Sequence, residues 1–427
     1  MKQLFVLVFA ISCSWAMAIN PTKTLVEKVK TNNTYPLIVE KAKAVMKTGF
    51  NAGDGYGEVW IRDYNTFIEL ACDVYDDKTV KENLLVFFTL QGVDGNIVDG
   101  FIPKSKAAAG YDYIHTKLET RYAGHKNTVE TDQETSLIQA IYKYVKRTGK
   151  TDILTEKVGD KTVAVRMEEA MEYLLNHRYS ARYGLIWGAT TADWGDVQPE
   201  HEWGVYLTSD THYAIDIYDN AMFVIALDNM MELLPDTKAR WKSVRNDIAK
   251  NSRKYLWDKK NQKFIPHIYL NGSPFSLSLD ENAIFYHGGT AVAIEAGLLS
   301  KSEIKVSLDK MIKNVKESGA ATIGLTMYPP YPQGAFIGKG MYPYGYQNGG
   351  DWTWFGARMI QQLIHYGFVH EAYEQMQPMV DRVIANKGFY EWYSVDNKPS
   401  GSGTFRGEAG VLYKSIQMIQ NWANTTK

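Results

Sequence analysis

Carboxylates set among aromatic rings are the most chemically suggestive residues of this chain. The segment Trp187-Gly188-Ala189-Thr190-Thr191-Ala192-Asp193-Trp194-Gly195-Asp196 places two aspartates among Trp187, Trp194 and the nearby Trp203. Indole rings exclude water and a second carboxyl repels charge, so one acid of such a pair can stay protonated near neutral pH and donate its proton. A second segment, Gly388-Phe389-Tyr390-Glu391-Trp392-Tyr393-Ser394-Val395-Asp396, runs on to Gly401, Gly403 and Arg406-Gly407-Glu408-Ala409-Gly410. Its carboxylate sits between rings ahead of a small-residue loop and is suited to activating water or meeting a sugar. Glu408 falls in the first turn of a following helix, where negative charge is favoured in any case. Glu391 therefore ranks above it.

Trp60-Ile61-Arg62-Asp63-Tyr64 sets a guanidinium beside a carboxylate, a donor and an acceptor able to fix hydroxyls in a defined plane. The plainer reading is an ion pair capping a helix over 65–75. Tyr344-Gly345-Tyr346-Gln347-Asn348-Gly349-Gly350-Asp351-Trp352-Thr353-Trp354 combines amides, an acid and flat rings. Amides grip hydroxyls while aromatic faces cover the C–H side of a pyranose; the alternative is a helix cap with tryptophans in the core. Tyr286-His287-Gly288-Gly289 and Glu130-Thr131-Asp132-Gln133-Glu134 open other helices.

The elements that must bring these segments together follow from apolar spacing at i, i+3, i+4 and i+7. It predicts twelve helices, over 22–47, 62–76, 79–92, 128–148, 164–178, 215–234, 237–255, 283–297, 302–316, 349–366, 369–386 and 406–423. Tight turns alternate with long connections around 93–127, 179–214, 256–282, 317–348 and 387–405, far above ordinary loop length. If successive helices alternate in direction, all the long loops meet at one end. Six hairpins then build an all-α, (α/α)6 toroid, one helix ring inside another, with a composite pocket at the loop end. No linker interrupts the pattern, so residues 19–427 read as a single domain.

The chain is 45% hydrophobic and 13% aromatic with a net charge of −1, enough for a large core and without the basic surface nucleic acid demands. Residues 1–18 combine an early lysine, an apolar run and Ala16-Met17-Ala18, the pattern of a cleaved leader, and predict an exported, periplasmic or secreted protein. Cys13 as a lipid anchor is less consistent with Ala10-Ile11-Ser12 before it. After cleavage Cys72 alone remains, which excludes an internal disulfide. No later stretch reaches the roughly 20 apolar residues of a membrane span. No histidine pair has metal-ligand spacing, and Asp94-Gly95-Asn96 with Asp99 lacks most EF-hand ligands, so neither metal nor cofactor is expected. Nothing sets an oligomeric state.

With these motifs together, the chain resembles the six-hairpin glycosidases, the group that includes glucoamylase, neutral trehalase, processing α-glucosidase I and neutral invertase. Trp60-Ile61-Arg62-Asp63 resembles their sugar-binding Arg-Asp motif, Gln347-Asn348-Gly349-Gly350-Asp351-Trp352 their Asn-Gly-Gly helix start, and Glu391-Trp392-Tyr393 their base-bearing segment. The resemblance implies an inverting glycoside hydrolase, probed by carboxyls about 6.5–9.5 Å apart. It assigns Asp193 as general acid, with Asp196 competing because the usual Ser-Gly-x-Asp context is absent, and Glu391 as general base. Trp60, Arg62, Asp63, Trp187, Trp194, Gln347, Asn348, Asp351, Trp352 and Trp392 would bind the sugar, an α-linked hexoside cleaved from its end, with α-glucoside favoured. Two alternatives differ in kind: a periplasmic sugar-binding protein without turnover, and a uronide-specific hydrolase or lyase, which needs a basic cluster beyond Arg62, Arg182 and Arg406. A glycoside phosphorylase would need a phosphate pocket.

Overall fold

A computed structural model describes residues 21–107, 112–202 and 205–426; the leader with Cys13, and Trp203, lie outside the described residues. The helices are α1 (Pro21–Lys30), α2 (Thr34–Met46), α3 (Ile61–Cys72), α4 (Asp77–Thr89), α5 (Gln133–Thr148), α6 (Val163–His177), α7 (Ile217–Leu233), α8 (Lys238–Tyr255), α9 (His287–Glu295), α10 (Lys301–Ser318), α11 (Thr353–His365), α12 (Val369–Asn386) and α13 (Arg406–Thr425). Helices α3, α5, α7, α9, α11 and α13 each pack on the next, and α13 returns to α3, closing an inner ring. The even-numbered helices α4 to α12 double back outside it, and α2 takes the sixth outer place against α13 and α3. This is the (α/α)6 toroid.

Composition decides which helices go inside. A helix that is apolar all round must be covered all round: α7 buries every residue from Ile217 to Leu227, and α9 every residue from His287 to Ile294. The outer α8, by contrast, buries only Trp241, Ile248 and Ser252. Helix ends follow local chemistry, as in α10, which starts with a Ser300/Glu303 capping box and stops at Gly319 with φ 81°. The ring closes where Gly410 of α13 meets α3 so closely that a Cβ there would lie 2.4 Å from the Cα of Phe67. The single helix expected over 22–47 is instead two. Asn32 Oδ1 accepts from the backbone N–H of Thr34 at 2.9 Å and Tyr35 at 3.3 Å, satisfying free donors that start α2.

Short turns join α3 to α4, α7 to α8, α9 to α10 and α11 to α12, whereas each long connection leads into the start of an inner helix. Small sheets order these connections. β1 (Val59–Trp60), β2 (Gly100–Pro103) and β3 (Tyr122–His125) form an antiparallel sheet in the order β1-β2-β3. Gly188–Ala189, Tyr213–Ile215 and Ile268–Tyr269 form another. A second apolar cluster of Ala192, Ile284, Tyr286, Met327, Tyr331, Phe336 and Met341 lies beneath the loops and gives them a core of their own. Among the described residues no helix is long and apolar enough to cross a membrane.

Candidate active site

Where the inner helices start, the loops surround a cavity of about 370 Å³, near the lower end of the roughly 300–1,000 Å³ typical of small-molecule sites. Its aromatic lining includes Trp60, Trp194, Tyr346, Trp352, Trp354 and Phe405. Trp194 stacks on Phe355 with ring centres 4.3 Å apart and meets the edge of Trp352 at 4.9 Å. The indoles are thus fixed by packing before any ligand arrives.

Glu391 comes from the loop before α13 and lines this cavity while only 5% exposed. Its Oε1 accepts from the Tyr56 hydroxyl at 3.0 Å and its Oε2 from the Ser402 backbone N–H at 3.1 Å. Burial raises its pKa above the usual glutamate value; the Ser402 and Tyr56 hydrogen bonds pull the other way, and Asp196 adds repulsion. Gly401 passes under the carboxylate with φ 69°, and a Cβ there would lie 2.4 Å from Oε2. Asp54 reinforces the loop by accepting from the Thr404 N–H at 3.0 Å and from the Ser402 hydroxyl.

The two aspartates of the Trp187–Asp196 stretch part company. Asp196 lines the cavity with Glu391. Gln347 clamps it at two points, its Nε2 donating to Oδ1 at 2.7 Å and its Oε1 accepting from the Asp196 N–H at 3.2 Å. Asp193 instead turns away: its oxygens accept from the N–H groups of Gly288 and Gly289, each at 2.7 Å, at the start of α9. It faces a separate enclosure of about 10 Å³ with Asp216 and Asp219, a space no larger than one water. Burial pushes Asp193 up to about 8 against the pull of those N–H groups. The cause of the separation is local. Asp193 has φ 56°, a left-handed turn that sends the chain back toward the cavity at Trp194.

Arg62 lines the wall but is already engaged. Its Nε pairs with Asp132 at 2.8 Å, its Nη1 donates to the Trp194 carbonyl at 3.1 Å, and its Nη2 pairs with Glu130. It locks the loop bearing Asp196 to the starts of α3 and α5. Asp63, 7% exposed, lines the cavity with an Oδ1 that makes no hydrogen bond to any described residue. Burial holds its pKa well above the usual range; Arg62 opposes this and Glu391 adds to it. Asp99 is pushed up to about 7, chiefly by burial. His125 meets Trp60 edge-on at 5.7 Å and lies 3.3 Å from the Tyr206 hydroxyl.

Trp60, Arg62, Asp63, Trp194, Gln347 and Trp352 thus line the cavity, and four other expected contacts lie elsewhere. Asn348 is fully buried and ties Tyr331 N–H at 2.8 Å to the carbonyls of Tyr331 and Met341. Asp351 accepts from the Thr322 N–H at 2.9 Å and pairs with Arg382 at 3.0 Å. Trp187 packs under Arg178 and beside Tyr213, and Trp392 packs against Tyr346 from outside. These are the structural roles that amides, acids and indoles at helix starts also serve. Sequence reasoning missed Tyr56, Asp99 and His125 as lining residues. The β1-β2-β3 sheet brings Asp99 and His125 beside Trp60, with Asp99 N–H donating to the His125 carbonyl at 2.8 Å. A two-residue strand leaves no periodicity to find. Among the described residues, no group of three or more His, Cys, Asp or Glu is placed to hold a metal ion.

A closed double ring of helices with two facing-loop carboxylates in an aromatic cavity is the build of an (α/α)6 glycoside hydrolase. The chain belongs to the glycosyl hydrolase 94 superfamily, whose catalytic-domain model matches residues 23–395. Among solved structures it is similar to the GH63 mannosylglycerate hydrolase of Thermus thermophilus in complex with glucose, at 16% identity and TM-score 0.64, covering 88% of this chain and 99% of that one. It is also similar to a rhamnosidase from Klebsiella oxytoca with rhamnose bound, at 12% identity and TM-score 0.58, over 91% of this chain and 64% of that one. No curated protein matches it by sequence.

Proposed function

We propose that the protein is an exported, inverting glycoside hydrolase that removes a terminal hexose from an α-linked glycoside, an α-glucoside first of all. The observation that carries this reading is the shared cavity of Asp196 and Glu391, each held by its own loop partners. Asp196 is the general acid in preference to Asp193, whose oxygens are committed to the start of α9. Gln347 donates to its Oδ1, which leaves Oδ2 to face the glycosidic oxygen. That proton passes to the glycosidic oxygen as its bond to the anomeric carbon breaks. A water molecule bonds to the opposite face of that carbon and gives its proton to Glu391, so the released sugar has the inverted anomeric configuration. Asp63 accepts from a hydroxyl of the departing sugar while the indoles cover its C–H face. The cavity's modest volume supports cleavage from a chain end, and the glucose bound by the mannosylglycerate hydrolase supports a hexose-sized first subsite.

Incubation with a panel of α- and β-linked disaccharides, followed by proton NMR, reads linkage and anomer together. We expect an α-glucoside to release β-glucose first; release of the α-anomer sinks the inverting mechanism. Asp196→Asn and Glu391→Gln are each expected to lower kcat by about 10²–10⁴-fold with folding intact. Loss of kcat in Asp193→Asn but not in Asp196→Asn returns the acid role to Asp193.

A further inference from the structure

Glu391 is held from a segment far away in the chain. It faces Ser402 across the paired strands Trp392–Tyr393 and Pro399–Ser400: the Glu391 N–H donates to the Ser402 carbonyl at 2.9 Å, and the Ser402 N–H returns to Oε2 at 3.1 Å. That second donor is only as well aimed as the Ser402 peptide, and the Ser402 hydroxyl is tied to Asp54, 348 residues earlier. Oδ1 of Asp54 accepts from that hydroxyl, from the Thr404 N–H at 3.0 Å and from the Thr404 hydroxyl at 2.9 Å, and the Asp54 N–H donates back to the Thr404 hydroxyl at 2.9 Å. Two residues on, Tyr56 donates to Oε1 at 3.0 Å. The tetrapeptide Gly53-Asp54-Gly55-Tyr56 therefore reaches both oxygens of one carboxylate, Oε1 directly and Oε2 through Ser402. A carboxylate offers about four acceptor positions, so these two donors leave room for a water.

The tetrapeptide is shaped for this contact. A Cβ on Gly53 would lie 2.1 Å from the Ser402 Oγ and 3.0 Å from the Thr404 carbonyl, so the two loops pass closer than a side chain allows. Gly55 makes the turn with φ 89°. Asn51 braces both ends, its Nδ2 donating to the carbonyls of Gly53 at 2.8 Å and Tyr56 at 2.6 Å. Arg406 anchors the brace to the start of α13, its Nη1 donating to the Asn51 carbonyl at 2.5 Å and its N–H to the Ala52 carbonyl at 2.7 Å. Asp54 itself is exposed. Hydrogen bonds, from Ser402 first and then from Thr404, hold its pKa below the usual aspartate value against the effect of burial. A surface aspartate bonded in this way to the loop of a buried carboxylate serves the geometry of that loop rather than the hydrophobic core.

We infer that Asp54 is a positioning residue for the general base: acting through Ser402, it aims the donor that fixes Oε2 of Glu391 while Tyr56 fixes Oε1. For its consequence in turnover the inference rests on the hydrolase reading above. Displacement of a reacting group by about 1 Å costs on the order of a hundredfold in rate, and Asp54 is what keeps the Ser402 side of the carboxylate from shifting.

The test reads the base both without and with substrate. Carbon-13 NMR of protein labelled at the glutamate side-chain carboxyl, with the Glu391 signal identified by its loss in Glu391→Gln, follows the titration of that group alone. Asp54→Ala is expected to move the titration up by about 0.5 pH unit, because the Ser402 N–H that favours the charged form is no longer held on Oε2. Ser402→Ala breaks the same link from the other side without adding bulk and reproduces the direction of the shift. Asp54→Asn, which keeps an oxygen acceptor at Oδ1, leaves the titration in place. In turnover of the α-glucoside cleaved best in the disaccharide panel, Asp54→Ala lowers kcat by about 10–100-fold with little change in KM, Asp54→Asn restores most of it, and Asp54→Ala has no further effect in a Glu391→Gln background. A Glu391 titration unmoved in both Asp54→Ala and Ser402→Ala, or an equal fold-loss of kcat with and without Glu391, overturns the inference. A shifted titration in a protein that cleaves no glycoside leaves the positioning standing and overturns the hydrolase reading.

Discussion

Glu391 is balanced between a buried site that resists its charge and two donors that favour it. In its proposed role as general base Glu391 works only when ionised, and net burial raises its pKa. The acid limb of the kcat/KM profile should therefore lie above the ordinary glutamate value, with activity falling as pH drops through it. Tyr56→Phe removes a hydrogen bond to the charged form and is expected to move that limb upward by about one pH unit. A limb that stays put detaches Tyr56 from the base. At this scale the sequence disclosed the residue types more readily than their duties. Glu391 and Asp196 were both legible as acids among rings. Asp193 outranked Asp196 because nothing in Asp193-Trp194-Gly195-Asp196 shows that φ 56° at its first residue divides the two carboxyls between a helix start and a cavity. Asn348 and Asp351 misled for the same reason, since the groups that grip sugar hydroxyls also satisfy buried backbone.

The loops carrying Glu391 and Asp196 are as tightly specified as the helices they join. Gly401→Ala would set a methyl 2.4 Å from the Glu391 carboxylate in a left-handed backbone conformation. It should cost activity by displacing the base, and kcat should fall much more than thermal stability. Gly410→Ala does the opposite. Its methyl meets the backbone of α3 rather than the site, so the inner ring must open there, at about 1–3 kcal/mol, more than the up to about 1 kcal/mol that alanine's helix propensity returns. Paired kcat and urea-midpoint measurements on the two variants separate these effects; equal stability losses contradict the distinction. Most helices were readable because they run several turns with a periodic face; α7 and α9, apolar all round, were readable only as unbroken apolar runs. The strands were not, because β1 is two residues long and exists through pairing with Phe101 and Gly100.

The ring itself was the most legible feature, since six hairpins with long loops at alternate joints have few other ways to bury inner helices like α7 and α9. Less legible was how many ionisable groups end inside it. Glu408 is fully buried near Arg382, and burial pushes its carboxyl up to about 8, against about 4.3 in an unfolded chain. The folded state thus keeps a proton that the unfolded chain has lost. This contribution to stability is complete below about pH 4.3 and disappears as pH rises through about 8. Glu408→Gln, a permanent stand-in for the protonated acid, should flatten the decline of Tm between about pH 5 and about pH 8. An unchanged slope excludes Glu408 as a source.

Because α13 seals the inner ring against α3, the order of synthesis matters. The ribosome makes α3 well before α13, so until α13 emerges the growing protein is an open arc with two uncovered flanks, one on α3 and one on the newest inner helix. Outer helix α2, made before α3, waits for a neighbour much further along the chain, α13. The twenty residues of α13 act as a clasp: until they arrive, Glu391 has been translated but the walls around it have not met.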